Sequence, residues 1–182
     1  QEEQSQYLDE LLALPAKAQK LIDNASQYAE TAKKFYTHRN AFYIGRNVDD
    51  VLAMEAALKL KEISYVQCEA YAAGELKHGT LSLVEDGTLV IAIATQTHLV
   101  DKTINNIKEC AVRGAYMIAI AMEGDMRLDK EVQEVWEIPA CPEIMAPALV
   151  AIPTQLFGYY MAYEKGCDID KPRNLAKSVT VE

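Results

Sequence analysis

The chain has 182 residues, half of them hydrophobic, which suits one domain with a full core. Its formal charge of -9, from 27 acidic against 18 basic residues, opposes the phosphate backbone of nucleic acids, and no Lys/Arg run offsets it, so DNA and RNA are excluded as main partners. The longest purely apolar run near a strand, Leu89–Ala94, falls far short of the roughly 20 residues that cross a bilayer, and the first residues form no signal peptide, so no membrane partner is expected.

Four cysteines, Cys68, Cys110, Cys141 and Cys167, are scattered without CxxC spacing or a nearby histidine cluster, which suggests neither a zinc site nor a disulfide scaffold. Reduced thiols and a cytoplasmic setting are expected. The chain begins QEEQSQ without an initiator methionine, inside what reads as a helical region, the pattern of a fragment.

Residues 5–36 carry helical spacing, first Tyr7, Leu8, Leu11, Leu12 and Leu14, then Leu21, Ile22 and Ala25, then Tyr28, Ala29, Ala32 and Phe35. Pro15 is expected to break this stretch and to start a second helix at its first turn. The apolar faces need a partner surface, either the downstream domain or one upstream. Residues 41–45, AFYIG, read as a buried strand entering a turn at glycine. Residues 46–50 then supply a loop and acidic caps for the next helix. With no GxGxxG and no GxxxxGK[ST], no nucleotide site is expected.

Over residues 51–66 a helical wheel sets Leu52, Ala53, Ala56, Ala57, Leu60 and Ile63 on one broad core face. Glu55, Lys59 and Glu62, at i, i+4 and i+7, share a narrow stripe, with Val51 and Leu58 beside it. One reading is a solvated ion pair adding a few tenths of a kcal/mol. The other is a helix wall facing a cleft, where the lysine holds a neighbouring carboxylate ionised for proton transfer and partial burial raises its pKa, with Glu62 as the base. Downstream, GELKHG brackets His78 between Gly74 and Gly79, on a tight turn or short helix end where backbone can approach a ligand.

Further apolar runs follow at residues 88–94, 116–122 and 134–138 as strands two to four, with helices over 97–113, closed by Gly114, and 146–165, ending at Gly166. Pro147 lies near the start of the last helix and Pro153 inside it. Alternating strands and helices with near-continuous apolar strands predict a three-layer α/β/α sandwich on a parallel sheet. The tail from Asp168, with Pro172 and little periodicity, reads by composition as a draped, solvated segment.

EAALKLKEISY followed by EAYAAGELKHG closely resembles the isomerase domain of the glucosamine-6-phosphate synthase family, and so does the chain end, DKPRNLAKSVTVE. The resemblance runs from about Phe42 to Glu182 and implies the second of the two sugar isomerase (SIS) subdomains, a flavodoxin-like sandwich, with residues 1–40 as helices joining the subdomains. It implies conversion of fructose 6-phosphate and ammonia to glucosamine 6-phosphate with no metal or organic cofactor. By motif, Glu62 falls on the proton-shuttling base and Lys59 on the lysine that stabilises the enolamine charge. His78 falls on the ring-opening acid/base, which reaches the neighbouring subunit's site, and Lys177 on the tail lysine that binds the open-chain sugar. Glu55 matches the residue that supports His78 by hydrogen bonding, and Ala176 contributes backbone only.

Thr80 departs from the family's usual proline after HG, and Ser82 stands where alanine is common, which bears on the seating of His78. The Ser/Thr-rich phosphate loop of the first subdomain and the glutaminase are absent from these residues, so the resemblance implies half a site, inactive alone, whose partners are the first subdomain, the glutaminase and a second copy in a homodimer. Alternatives are a non-catalytic sugar-phosphate-binding module, which would not need Glu62 and Lys59 together, and a related aldose-ketose isomerase or deglycase, which would not share this tail.

Overall fold

Residues 89–94 and 116–122 contain no charged side chain, and they form the centre of a sheet whose two faces are both covered. The structure, a computed structural model, describes residues 2–173. The strands are β1 (Asn40–Gly45), β2 (Gln67–Ala72), β3 (Leu89–Ala94), β4 (Tyr116–Met122) and β5 (Glu134–Ile138), all parallel in the order β2-β1-β3-β4-β5. The helices are α1 (Glu2–Asp23), α2 (Ser26–Phe35), α3 (Val48–Ser64), α4 (Val100–Ala111) and α5 (Ala146–Glu164), with 3-10 turns at Ala73–His78, Thr80–Leu83 and Glu143–Met145.

Successive strand residues feed two cores. Ala41, Tyr43, Leu89, Ile91, Ile93, Ile118 and Ile120 pack with α1, α2, α3 and α5, while Phe42, Ile44, Val90, Ala92, Met117 and Ala119 pack with α4 and the 3-10 turns. The expected three-layer sandwich is the fold, and the strand order is the flavodoxin-like one.

The sequence reading missed β2. QCEAYA sits at the sheet edge, where Glu69 and Tyr71 are partly exposed while Cys68 is buried, so it lacks the continuous apolar run that marks the central strands.

Pro15 lies inside α1 rather than breaking it, and the break falls at residues 24–25. An interior proline costs about 3 kcal/mol. It is tolerated because Leu14, Ala18 and Leu21 form one stripe against the core that runs straight past it. Tyr28, Ala32 and Phe35 of α2 are buried against the same core, whereas Tyr7, Leu8, Leu11 and Leu12 stay exposed. The second half of the helical stretch therefore finds its partner surface downstream, and among the described residues the first half does not.

The helix expected over 97–113 is shorter, Val100–Ala111, because the Thr97 N–H is taken by Glu143 and Gly114 turns the chain at φ 87. Helix α5, with the segment before it, is long and apolar enough to cross a membrane, which the sequence reading overlooked by counting only unbroken apolar runs. Here it is a core helix: Leu149, Val150, Phe157, Met161 and Ala162 are buried. Gly158 lets it approach α3 closely, since a Cβ there would meet the Ile63 Cδ1 at 3.3 Å. Ala53, Ala56 and Ala57, all buried, keep the core side of α3 equally low.

Candidate functional site

In an open parallel sheet the ligand crevice lies beyond the carboxyl ends of the strands, where the strand order reverses. That place is between β1 and β3, and the chain fills it with its own side chains. Gly45 ends β1 so close to α3 that a Cβ would stand 2.3 Å from the Asp49 carbonyl carbon and oxygen. This approach carries the buried Asp49 over the end of β3, where its Oδ2 accepts the Thr95 N–H at 2.9 Å and its Oδ1 accepts the Thr95 hydroxyl at 2.5 Å.

Gln96 donates to the Arg46 carbonyl at 2.8 Å and accepts from the Asn47 amide at 3.1 Å. The Arg46 guanidinium donates twice to Asn106 Oδ1, at 3.1 and 2.7 Å. The Thr97 N–H donates to Glu143 Oε1 at 2.8 Å. Two carboxylates, Asp49 and Glu143, thus hold backbone donors of the kind an anion would otherwise use. Burial pushes the Asp49 carboxyl above the ordinary carboxylate range, against the pull of the Thr95 and Gln96 hydrogen bonds.

The acidic residues expected at the start of this helix, Asp49 and Asp50, stand in the first turn of α3, but neither is its N-cap. Asn47, at φ 55, is the N-cap and makes no side-chain cap bond, and the Asp49 carboxylate serves β3 instead. Sequence spacing carried no sign of this pairing, which joins positions 46 residues apart.

Exposed ionisable side chains lie on the outer face of α3. Lys59 Nζ stands 2.9 Å from Glu62 Oε2 and 3.6 Å from Glu55 Oε1, so the predicted stripe is a physical row. The hydrogen bond to Glu62 and the field of both carboxylates raise the Lys59 pKa. The row is wet: the Glu62 side chain is 48% exposed, so the described residues do not supply the burial that the cleft reading needs. Val48, Val51, Met54 and Leu58 lie among these charges, each exposed by 42–63%. Apolar side chains threaded through an ion-paired row mark a surface made to be covered.

His78 ends the 3-10 turn before Gly79, whose φ of 141 favours glycine, and Ser82 closes the next turn by donating to the Gly79 carbonyl at 2.6 Å. His78 Nε2 lies 3.8 Å from Glu75 and is exposed, while Glu55 faces Lys59. Among the described residues no hydrogen bond joins Glu55 to His78. Ala176 and Lys177 lie outside the described residues. No three His, Cys, Asp or Glu side chains among the described residues converge in a way that could hold a metal ion.

Sequence reasoning also passed over Tyr65, which follows α3. Its hydroxyl accepts the Arg173 backbone N–H at 2.8 Å, and the Arg173 guanidinium lies over its ring at 4.4 Å.

The pattern of the SIS domain family matches residues 34–165. A glutamine–fructose-6-phosphate aminotransferase [isomerizing] of Clostridium tetani is 52% identical over 181 residues, all of this chain and 30% of that protein. One of Caldanaerobacter subterraneus is 54% identical over 177 residues, 97% of this chain and 29% of that protein. The chain thus spans about a third of the length of these curated relatives. Among solved structures, the C-terminal domain of glucosamine-fructose-6-phosphate aminotransferase from Francisella tularensis superposes with a TM-score of 0.83 at 33% identity, covering 91% of this chain and 46% of that one. A tagatose-6-phosphate ketose/aldose isomerase described from Clostridium novyi NT superposes at 0.77 with 17% identity over 92% of this chain and 46% of that one, a likeness of fold alone.

Proposed function

We infer, from the premise that this chain belongs to the SIS domain family, that it is the second sugar isomerase subdomain of an isomerising glutamine–fructose-6-phosphate aminotransferase. The observation that carries the reading is the Glu55-Lys59-Glu62 row on an exposed helix face, in a chain whose whole length aligns with 30% of such an enzyme. The chain contributes half a site, and the first subdomain covers the row.

In the assembled enzyme Glu62 moves the proton between carbons 1 and 2 of the open-chain sugar. Lys59 donates to Glu62 at 2.9 Å, and covering the row strengthens every charge interaction within it. Lys59 stabilises the negative charge that develops on the enolamine. His78, supported by Glu55, opens the sugar ring in the neighbouring subunit's site of a homodimer. Lys177 holds the open-chain sugar and Ala176 offers backbone. Ammonia comes from the glutaminase domain of the parent chain, the substrate is fructose 6-phosphate, and the setting is cytoplasmic.

The test is a chimera in which these residues replace the matching segment of the Clostridium tetani relative. The expected result is glucosamine 6-phosphate formation, which Glu62→Gln lowers by about 10²- to 10⁴-fold while glutamine hydrolysis persists. The isolated 182 residues turn over no fructose 6-phosphate. A soluble chimera that hydrolyses glutamine but makes no product, or one in which Glu62→Gln isomerises normally, overturns the reading.

A further inference from the structure

Tyr65 adopts the left-handed conformation, φ 57 and ψ 21, as the C-cap of α3, with its N–H on the Lys61 carbonyl at 3.1 Å. Glycine enters this conformation without strain, and a bulky residue there is an outlier. The ring held at that strained position has a partner 108 residues away: its hydroxyl accepts the Arg173 N–H, and its face carries the Arg173 guanidinium. The contact uses both the polar end and the flat face of tyrosine. It ties the chain beyond α5 to the foot of the helix that bears Glu62.

We propose that Tyr65 is a positioning residue that anchors the start of the C-terminal segment at Arg173. This rests on the functional reading above, in which Lys177 shares the sugar with Glu62. Glu62 lies three positions before Tyr65 in the sequence. Lys177 follows Arg173 by four residues, which limits its Cα to within about 14 Å of the Arg173 Cα. Pinning Arg173 at Tyr65 therefore limits the volume that the following residues can search, and lowers the ordering cost of binding.

Two variants separate anchoring from general stability. Tyr65→Gly removes the ring and at the same time suits the left-handed backbone, so the melting temperature of the 182-residue chain holds or rises. Trypsin cleavage after Arg173, read by mass spectrometry as the appearance of a chain ending at Arg173, accelerates about tenfold, equivalent to about 1.4 kcal/mol. That is the size expected for one exposed cation–π contact with one hydrogen bond. Lys171 precedes proline and is not cut, and cleavage after Lys177 leaves a chain four residues longer, so a chain ending at Arg173 reports on Arg173. Tyr65→Phe keeps the stacking, loses the hydroxyl acceptor and falls between.

In the chimera, Tyr65→Gly raises KM for fructose 6-phosphate about tenfold and leaves glutamine hydrolysis unchanged. Cleavage rates equal within about twofold, or faster cleavage matched by a proportionate loss of melting temperature, overturn the anchor. If Glu62→Gln proves harmless the functional reading fails, and the trypsin result still decides the anchor by itself.

Discussion

Replacing Asp49 tests whether the closed crevice at the end of β1 and β3 is a structural clasp. In Asp49→Ala the Thr95 N–H and hydroxyl lose their acceptor at a residue only 2% exposed. Stranding a buried polar group costs about 1–3 kcal/mol, so two such groups give about 2–6. Removing a desolvated carboxylate, whose pKa burial raises, offsets part of this. The net loss is about 2–4 kcal/mol. Each kcal/mol moves the melting temperature of a chain this size by about 2–4 °C, so a fall near 10 °C is expected.

Asp49→Asn keeps the shape and one acceptor oxygen for the Thr95 N–H, while the Thr95 hydroxyl can turn to accept from the new amide. Its cost is about 1 kcal/mol. Calorimetry or circular dichroism melts of the two variants, with Thr95→Val alone and combined with Asp49→Ala, close a double-mutant cycle. In the Asp49→Ala background Thr95→Val is expected to be nearly neutral. If Asp49→Ala costs less than Asp49→Asn, or the two sites prove additive, the clasp does not hold α3 in place.

Glu134 gives the pH dependence. Burial pushes its carboxyl up, but hydrogen bonds from Lys34, Thr31 and Tyr116 outweigh that and leave its pKa below the ordinary glutamate value. A depressed carboxyl contributes stability above its unfolded pKa, about 4.3, and loses it as pH falls through the folded value. Glu134→Gln is therefore expected to cost about 1 kcal/mol at pH 7 and nothing measurable near pH 2, read from melts across that range. Asp49, whose pKa is raised, has the opposite sign: its contribution is full below the unfolded value and is lost as pH rises through the folded one. The chain has one tryptophan, Trp136, 1% exposed and packed edge-on to Tyr28 at 5.0 Å and against Phe157 at 5.3 Å. Its emission is expected to be blue-shifted and shielded from iodide, and Trp136→Ala to lose about 3–5 kcal/mol in denaturant titration. Emission at the wavelength of free tryptophan would contradict the packing.

Local periodicity determined a large part of this molecule. The 3.6-residue spacing over residues 51–66 set Ala53, Ala56, Ala57 and Leu60 inward and drew Glu55, Lys59 and Glu62 into a single row, because helix geometry alone decides which side chains share a face. The charge-free runs at β3 and β4 declared a sheet covered on both sides. Tertiary structure decided what depends on neighbours distant in sequence. QCEAYA is a strand only because β1 pairs with it at the sheet edge, and α1 runs through Pro15 because Leu14, Ala18 and Leu21 bury one continuous stripe. Asp49 turned from a cap into a tie to Thr95, and Tyr65 gained Arg173, because hydrogen-bonding groups take whichever partner the fold brings within 3 Å, and loop closure over 46 or 108 residues leaves no local pattern.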